Sequence, residues 1–346
     1  MQTSSVPFVT IVMPALNEES YIADAIRSIL PTGQTVDYEI LVMDGGSTDD
    51  TRRIVEELAA ANPCIKLLNN PRRTQSAAMN IAAEIADPKA TIVVRADCHA
   101  IYPAGFVENC VASLLNTQSA SVVVSMHAVG LSPIQKAIAA AQNSRLGNGG
   151  SRHRRRAQSG YVEHGHHAAF DRQMFRSLGG YDETAPFNED AEFDTRLVRA
   201  GGRIFLDGRS TIDYFPRANF SKLARQYFRH GWGRANTMLK HASRPKLRQI
   251  LPVIVLVTCL LAIASWPLIG AVALLPPAAY VGACLLWGTV LAVRGRDASL
   301  VFSGPAALTM HMSWALGFLK RIAELLASDR LKTVDAASRE VPQQGR

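Results

Sequence analysis

Four short clusters of acidic and polar residues carry the chemically capable side chains of this 346-residue chain. They are Pro14-Ala15-Leu16-Asn17-Glu18, Asp44-Gly45-Gly46-Ser47-Thr48-Asp49, Asp97-Cys98-His99 and Asn188-Glu189-Asp190. A placed carboxylate can take the proton of an attacking hydroxyl. A carboxylate beside an imidazole suits a divalent cation. Each cluster also has a purely structural use. Asp44 with two glycines and Ser-Thr-Asp can be a turn and a helix cap. Glu189-Asp190 can be a first-turn pair that complements the helix dipole, and Asp97-Cys98-His99 can be an ordinary turn. Taken singly, no cluster decides. The five cysteines (Cys64, Cys98, Cys110, Cys259, Cys284) include no C-x-x-C pair, which argues against a disulfide framework or a zinc site.

The elements between the clusters give them a common place. Phe8 to Met13, Tyr38 to Met43, Ile65 to Leu68 and Thr91 to Val94 are short apolar runs, each with the length of a buried strand. Glu18 to Leu30 has apolar residues at helical spacing and stops at Pro31. Ser47-Thr48-Asp49 reads as the cap of a helix ending near Ala61, and Ser76 to Ala86 as a further helix. Val122 to Ser125 is a candidate strand, and Ala191 to Ala200 a helical stretch after the Glu189-Asp190 pair. Strand-helix alternation at this spacing implies a parallel sheet covered on both faces. Such sheets bind ligands at the carboxyl ends of their strands. The first three clusters follow the first, second and fourth strands, so all fall on that edge.

In this order and spacing the clusters resemble the motifs of glycosyltransferase family 2, which has the GT-A fold, a Rossmann-like mixed α/β sheet. The family's P-x-x-N-E is matched at Pro14, Asn17 and Glu18, and its D-D/G-G-S-T-D at Asp44 to Asp49. D-x-H is matched at Asp97 and His99, and G-G-Y-D-E at Gly179 to Glu183. An E-D pair at Glu189-Asp190 and R-x-x-x-x-G at Arg196 and Gly201 complete the series, so the likeness covers about Val6 to Arg217. The resemblance implies sugar transfer from a UDP-sugar with Asp190 as base, and single displacement implies inversion. It implies nucleotide-sugar contacts from Pro14, Ala15, Asn17, Glu18, Asp44, Arg73 and Asp97. Asp97 and His99 are the candidate ligands for Mn²⁺ or Mg²⁺. Arg72 and Arg95 lie near the same edge. Ile212 to Arg217 has no histidine where many members carry a further metal ligand. The Q-x-x-R-W of processive synthases is altered, with Gln226 and Arg229 followed only at Trp232, which argues for addition of one sugar.

Within the family, Arg95 to Ala100, Gly160 to Phe170 and the basic-then-apolar tail resemble bacterial exopolysaccharide glucosyltransferases of the succinoglycan type. That likeness implies glucose from UDP-glucose and a polyprenyl-diphosphate-linked acceptor sugar. Glu189, His166 and His167 are then expected to border the acceptor, and the basic loop Arg152 to Arg156 to hold the lipid diphosphate or close over UDP. The rest of the chain agrees with a lipid acceptor. Ile250 to Val293 and Ala298 to Leu319 carry no Asp, Glu, Lys or Arg, room for two to three membrane helices of roughly 20 residues each. Arg217, Lys222, Arg225, Arg229, Arg234, Lys240, Arg244, Lys246 and Arg248 precede them with no acidic residue between Asp213 and Asp297. Such a cluster faces the cytoplasm and anionic lipid, a partner favoured here over nucleic acid. A third span at Ala298 to Leu319 would put Lys320-Arg321 outside against the charge rule, so a re-entrant or interfacial segment suits it better. The expected layout is a catalytic domain over 1–217, a basic juxtamembrane stretch over 218–249, a membrane segment over 250–321 and a polar tail over 322–346. The N-terminal stretch lacks a signal-peptide core, and the expected location is a bacterial inner membrane with the catalytic domain in the cytosol. The rival readings are a polyprenyl-phosphate hexose synthase or other glycolipid glycosyltransferase, a nucleotidyltransferase, and a non-catalytic scaffold for polysaccharide assembly. The nucleotidyltransferase lacks its glycine-rich phosphate loop here.

Overall fold

The computed structural model describes residues 6–150 and 158–339. The loop Arg152 to Arg156 therefore lies outside the described residues. The apolar runs form the strands expected of them: β1 (Phe8–Ala15), β2 (Asp37–Asp44), β3 (Ile65–Asn69) and β4 (Ala90–Arg95). The later strands are β5 (Ala100–Ile101), β6 (Ser121–Ala128), β7 (Gly160–Val162), β8 (His166–Asp171) and β9 (Ile204–Tyr214). They make one sheet in the order β3-β2-β1-β4-β8-β6-β9-β5, with β7 also paired to β9. The pairs β3-β2, β2-β1, β1-β4 and β6-β9 are parallel. β8 runs antiparallel between β4 and β6, so the sheet is mixed. Alternate residues divide between the two faces. Val9, Ile11, Met13, Ile40 and Val42 join one core, and Val12, Leu41 and Met43 the other.

Four helices connect the first six strands: α1 (Ile22–Ile29), α2 (Thr51–Ala61), α3 (Gln75–Ile85) and α4 (Phe106–Thr117). α1 begins later than its periodicity predicts. The amides of Asn17, Glu18 and Glu19 donate instead to Ser47, Thr51 and Asp49, so this segment is drawn into the neighbouring loop. α2 likewise begins at Thr51. Ser47 turns back to Asp44, and Thr48 donates to Asn17. The competing side-chain bonds keep both segments out of the helices that follow.

α5 (Pro133–Asn143), α6 (Arg145–Asn148), α7 (Arg172–Ser177) and α8 (Glu189–Arg199) follow. Lys222 to Lys240 of the basic stretch lie on one long helix, α9 (Phe220–Lys240). α10 (Leu247–Ala264), the short α11 (Trp266–Ile269) and α12 (Leu275–Gly295) hold the first charge-free stretch, and α13 runs from Ser303 to Arg339. Leu247–Ala264 and Trp266–Gly295 are long and apolar enough to cross a membrane, with 6% and 11% of their apolar windows buried. Ile254, Leu261, Leu268, Leu286 and Val293 present bare apolar surface, the mark of a lipid or partner contact. The second charge-free stretch behaves differently. Ala306, Ala307, Met310, Ala315 and Phe318 of α13 are buried. Ala306 and Met310 pack with Ile138, Ala141 and Leu223. That half of α13 is a packed helix of the protein, and the helix continues to Arg339, into the stretch expected to be a polar tail.

Candidate active site

The first three clusters meet at the carboxyl edge of β1, β2 and β4. β1 ends at Pro14-Ala15, whose carbonyls take the Cys98 thiol (3.3 Å) and the Gly45 amide (2.8 Å). Asn17, in a left-handed conformation (φ 57°), accepts the Thr48 amide at 2.8 Å. The Asn17 amide donates to Ser47 Oγ at 3.0 Å. Arg73, also left-handed (φ 58°), lies over Gly45 and Gly46. A methyl group added at Gly46 would stand 3.4 Å from its guanidinium. Glu18 points its carboxylate along the same edge, 3.6 Å from His99 Nδ1. These residues therefore meet at one edge of the sheet.

Asp44 lies deeper in the same loop. Its side chain is 0% exposed. Its oxygens accept from the Gly46 and Ser47 amides, from Ser47 Oγ at 2.6 Å and from Arg52 Nη1 at 2.7 Å. Burial alone would raise its pKa, but these donors hold it below the usual value. Through these donors Asp44 sets the shape of the loop.

Asp97 sits just beyond β4 with its backbone held by Tyr102. Oδ1 faces Arg95 Nε and Gln75 Nε2, each at 3.3 Å, and Oδ2 lies 3.4 Å from His166 Nε2. Burial pushes His166 down to about 4, so the imidazole is neutral and keeps a lone pair to offer. A 3.4 Å oxygen-nitrogen separation suits two neighbouring ligands on one ion with bonds of about 2.1 Å. The donor set thus fits a divalent cation. Among the described residues no three His, Cys, Asp or Glu side chains close on one point. Donor diphosphate oxygens would complete the coordination. His99 packs edge-on against Tyr214 (centroids 5.4 Å apart) with its Nδ1 toward Glu18.

The fourth cluster enters from α8. Glu189 and Asp190 occupy its first turn, and Asp190 Oδ1 accepts from Arg95 Nη1 at 2.7 Å. Arg95, 6% exposed, also lies 3.9 Å from Glu189, so one buried cation joins Asp97, Glu189 and Asp190. Burial would raise the Asp190 carboxyl, but Arg95 and the nearby histidines hold it well below the usual carboxylate range. Glu189 goes the other way. Burial, then the charge of Asp190, push it up to about 7.

His167 lies behind these groups, in the core. It is 0% exposed at its side chain, and both ring nitrogens are engaged: Nδ1 with Tyr181 Oη at 2.6 Å and Nε2 with Asp194 Oδ1 at 2.8 Å. It is a core residue. Asp194 also holds His164 at 2.6 Å, and Tyr181 Oη accepts from Arg95 at 3.4 Å. A buried polar chain thus runs from His164 through Asp194, His167 and Tyr181 to Arg95 and Asp190. Sequence reasoning missed Asp194. Its signal was the four-residue spacing from Asp190, which puts both carboxylates on one helix face. Arg72 is paired with Glu183 at 2.6 Å, at the rim.

The comparisons agree with this geometry. The model of glycosyl transferase family 2 matches residues 10–179. Succinoglycan biosynthesis protein ExoA of Rhizobium meliloti (strain 1021) is 42% identical across 91% of this chain and 94% of its own length. A dolichyl N-acetyl-α-D-glucosaminyl phosphate 3-β-D-2,3-diacetamido-2,3-dideoxy-β-D-glucuronosyltransferase of Methanococcus voltae is 23% identical over 65% of this chain and 72% of its own. Among solved structures, mannosyltransferase PcManGT from Pyrobaculum calidifontis, in complex with GDP-Man and Mn²⁺, shares the fold. It superposes with a TM-score of 0.58 at 21% identity, covering 92% of this chain and 88% of that one. With its mixed sheet, its strand-end clusters and a relative matched along nearly its whole length, the chain belongs to glycosyltransferase family 2 and is a glycosyltransferase.

Proposed function

We propose that this enzyme is an inverting transferase that adds one sugar to a polyprenyl-diphosphate-linked saccharide during succinoglycan-like exopolysaccharide assembly. The donor is UDP-glucose and the new linkage is β. The observation that carries the reaction is the convergence of Asp97 and Asp190 on Arg95, at the edge where β1, β2 and β4 end. Near-full-length likeness to a succinoglycan biosynthesis protein supports the pathway. The Methanococcus voltae relative, whose name gives a dolichyl-phosphate-linked sugar as acceptor, supports the lipid carrier.

Asp190 is the base. Arg95 keeps it ionised and fixes Oδ1, while a side chain 21% exposed leaves the carboxylate open to an acceptor hydroxyl. The hydroxyl oxygen bonds to the anomeric carbon as its proton passes to Asp190. The bond from that carbon to the diphosphate breaks, and UDP leaves. Glu189, titrating at about 7, can donate or accept a hydrogen bond to the acceptor sugar. Asp97, with His166 or His99 beside it, would hold Mn²⁺ or Mg²⁺, which would supply charge neutralisation at the leaving diphosphate. Pro14, Ala15, Asn17, Glu18 and Arg73 hold the nucleotide. The exposed α10 and α12 hold the enzyme at the inner membrane, with the catalytic domain in the cytosol.

The test uses membranes containing the full chain, radiolabelled UDP-glucose, and polyprenyl diphosphate galactose with and without Mn²⁺. Label should enter lipid only when acceptor and metal are both present. Asp190→Asn should lower turnover by about 10²- to 10⁴-fold, the usual weight of a general base, while UDP binding persists. Retained turnover in purified Asp190→Asn would defeat the base assignment. Labelling of bare polyprenyl phosphate would point instead to a polyprenyl-phosphate hexose synthase.

A further inference from the structure

Arg234 has no part in the chemistry above, yet the fold brings it to the base. On α9, a methyl group at Gly233 would stand 2.7 Å from Asn188 Cβ and from the Phe187 carbonyl. Asn188 Nδ2 donates to Thr237 Oγ1 at 3.0 Å, and Trp232 meets Phe187 edge-on. The middle of α9 is thus pressed against the residues that immediately precede Glu189 and Asp190. Arg234, the next residue along, has a buried Nε with no hydrogen-bond partner.

Its charged neighbours are Asp190 and Asp194 on α8 and Arg248 in the first turn of α10. Both carboxylates are committed elsewhere, Asp190 to Arg95 at 2.7 Å and Asp194 to His164 and His167 at 2.6 and 2.8 Å. Burial, and the like charge of Arg248, pull the Arg234 guanidinium down to about 10. Arg248 packs over Gly149 at the end of α6 and opens the first apolar helix, so it stands where the protein meets lipid. A buried guanidinium nitrogen without an acceptor is costly. Its planar fork is matched by phosphate oxygens.

We infer that Arg234 and Arg248 form a phosphate seat between the catalytic base and the first apolar helix, and that it holds the acceptor's lipid diphosphate. The donor diphosphate belongs to the opposite side of Asp190, at the strand-end loops around Arg73 and Asp97. A sugar diphosphate whose lipid lies along α10 would rest its phosphates on Arg248 and Arg234 and present its sugar to Asp190. This rests on the lipid-diphosphate acceptor proposed above.

The experiment uses the full chain in nanodiscs with two acceptors, galactose on polyprenyl diphosphate and octyl galactoside, which has no phosphate. Arg234→Gln should reduce the KM advantage of the diphosphate acceptor over octyl galactoside by tenfold or more, with UDP affinity within twofold of wild type. Arg234→Lys should recover part of it. Arg248→Gln, at an exposed position, repeats the measurement should Arg234→Gln fail to fold. A second arm measures binding of inorganic pyrophosphate to UDP-saturated enzyme, which Arg234→Gln should weaken tenfold or more. An unchanged KM ratio, or equal losses on both acceptors, would overturn the seat. If wild type refuses the diphosphate acceptor yet binds pyrophosphate through Arg234, the acceptor reading fails and the anion seat stands. Pyrophosphate binding that ignores Arg234→Gln, with dependence only on vesicle phosphatidylglycerol, would reduce these arginines to a bilayer contact.

Discussion

At the scale of single residues, the site is organised by one buried cation. Arg95 receives Asp97, Glu189 and Asp190 within 3.9 Å; it holds Asp190 ionised, while burial and the Asp190 charge push Glu189 up. Behind it, Tyr181, His167 and Asp194 hold the guanidinium from the core side. Burial opposes charge on His167, but Asp194 lifts its pKa above the ordinary 6.5, and Asp194 itself lies below 3.8. The sign of the pH effect follows by linkage. The His167 contribution to stability is complete below pH 6.5 and is lost as pH rises through its folded value. The Asp194 contribution is present above pH 3.8 and is lost on acidification through its own. Asp194→Asn should therefore cost most between about pH 4 and 6.5, on the order of 3–5 kcal/mol for breaking a buried pair. Its thermal midpoint should vary less than wild type's between pH 6.5 and 8.5. Parallel midpoint-pH curves for the two proteins would refute the pairing.

At the scale of elements, α9 is the connector. It packs against the start of α8 on one side and against α13 on the other. The α9-α13 contact is tight because glycine faces backbone across it. A methyl at Gly231 would lie 2.0 Å from the Trp314 carbonyl, and one at Gly317 2.0 Å from that of Phe228. Trp232 Nε1 donates to Glu324, Arg321 covers the Trp232 ring, and Trp314 Nε1 donates to the Gln249 carbonyl, which ties in α10. Gly231→Ala should destabilise by about 1–3 kcal/mol, the usual cost of overpacking, despite alanine's better helix propensity. Because α9 also positions residues beside Asp190, turnover should fall with stability. A Gly231→Ala protein as stable as wild type in thermal unfolding would show that this crossing can relax.

At the scale of the whole molecule, the catalytic edge and the apolar helices are parts of one frame. α13 packs on α9, and α10 begins beside Arg248. The exposed apolar surface of α10 and α12 requires a cover that the described chain does not provide. Ile254 and Leu286 lie near the middles of those helices, 47% and 66% exposed. A charge placed there costs about 2.5–3.5 kcal/mol on insertion scales. The wild-type chain should stay in the pellet after alkaline carbonate extraction, and the double variant Ile254→Glu/Leu286→Glu should move to the supernatant while still binding UDP. Equal retention of both proteins would count against membrane insertion through these helices.

Much of this protein was legible in its amino-acid order alone. Short β-branched runs at regular spacing made the strands, because a strand buried on both faces must be apolar throughout. The clusters after β1, β2 and β4 fell on one edge because parallel strands all point the same way. Tertiary structure decided what those residues touch. Arg95 meets Asp190 across 95 positions, a contact no local period encodes. Asp44 and His167 have the residue types of ligand-binding groups, and their neighbours bind the carboxylate of one and both ring nitrogens of the other. Two charge-free stretches look alike as sequence, but one is bare and the other lies against α9 and α5, since apolar surface is equally satisfied by lipid or by protein. Which of the two covers it depends on packing across the whole chain.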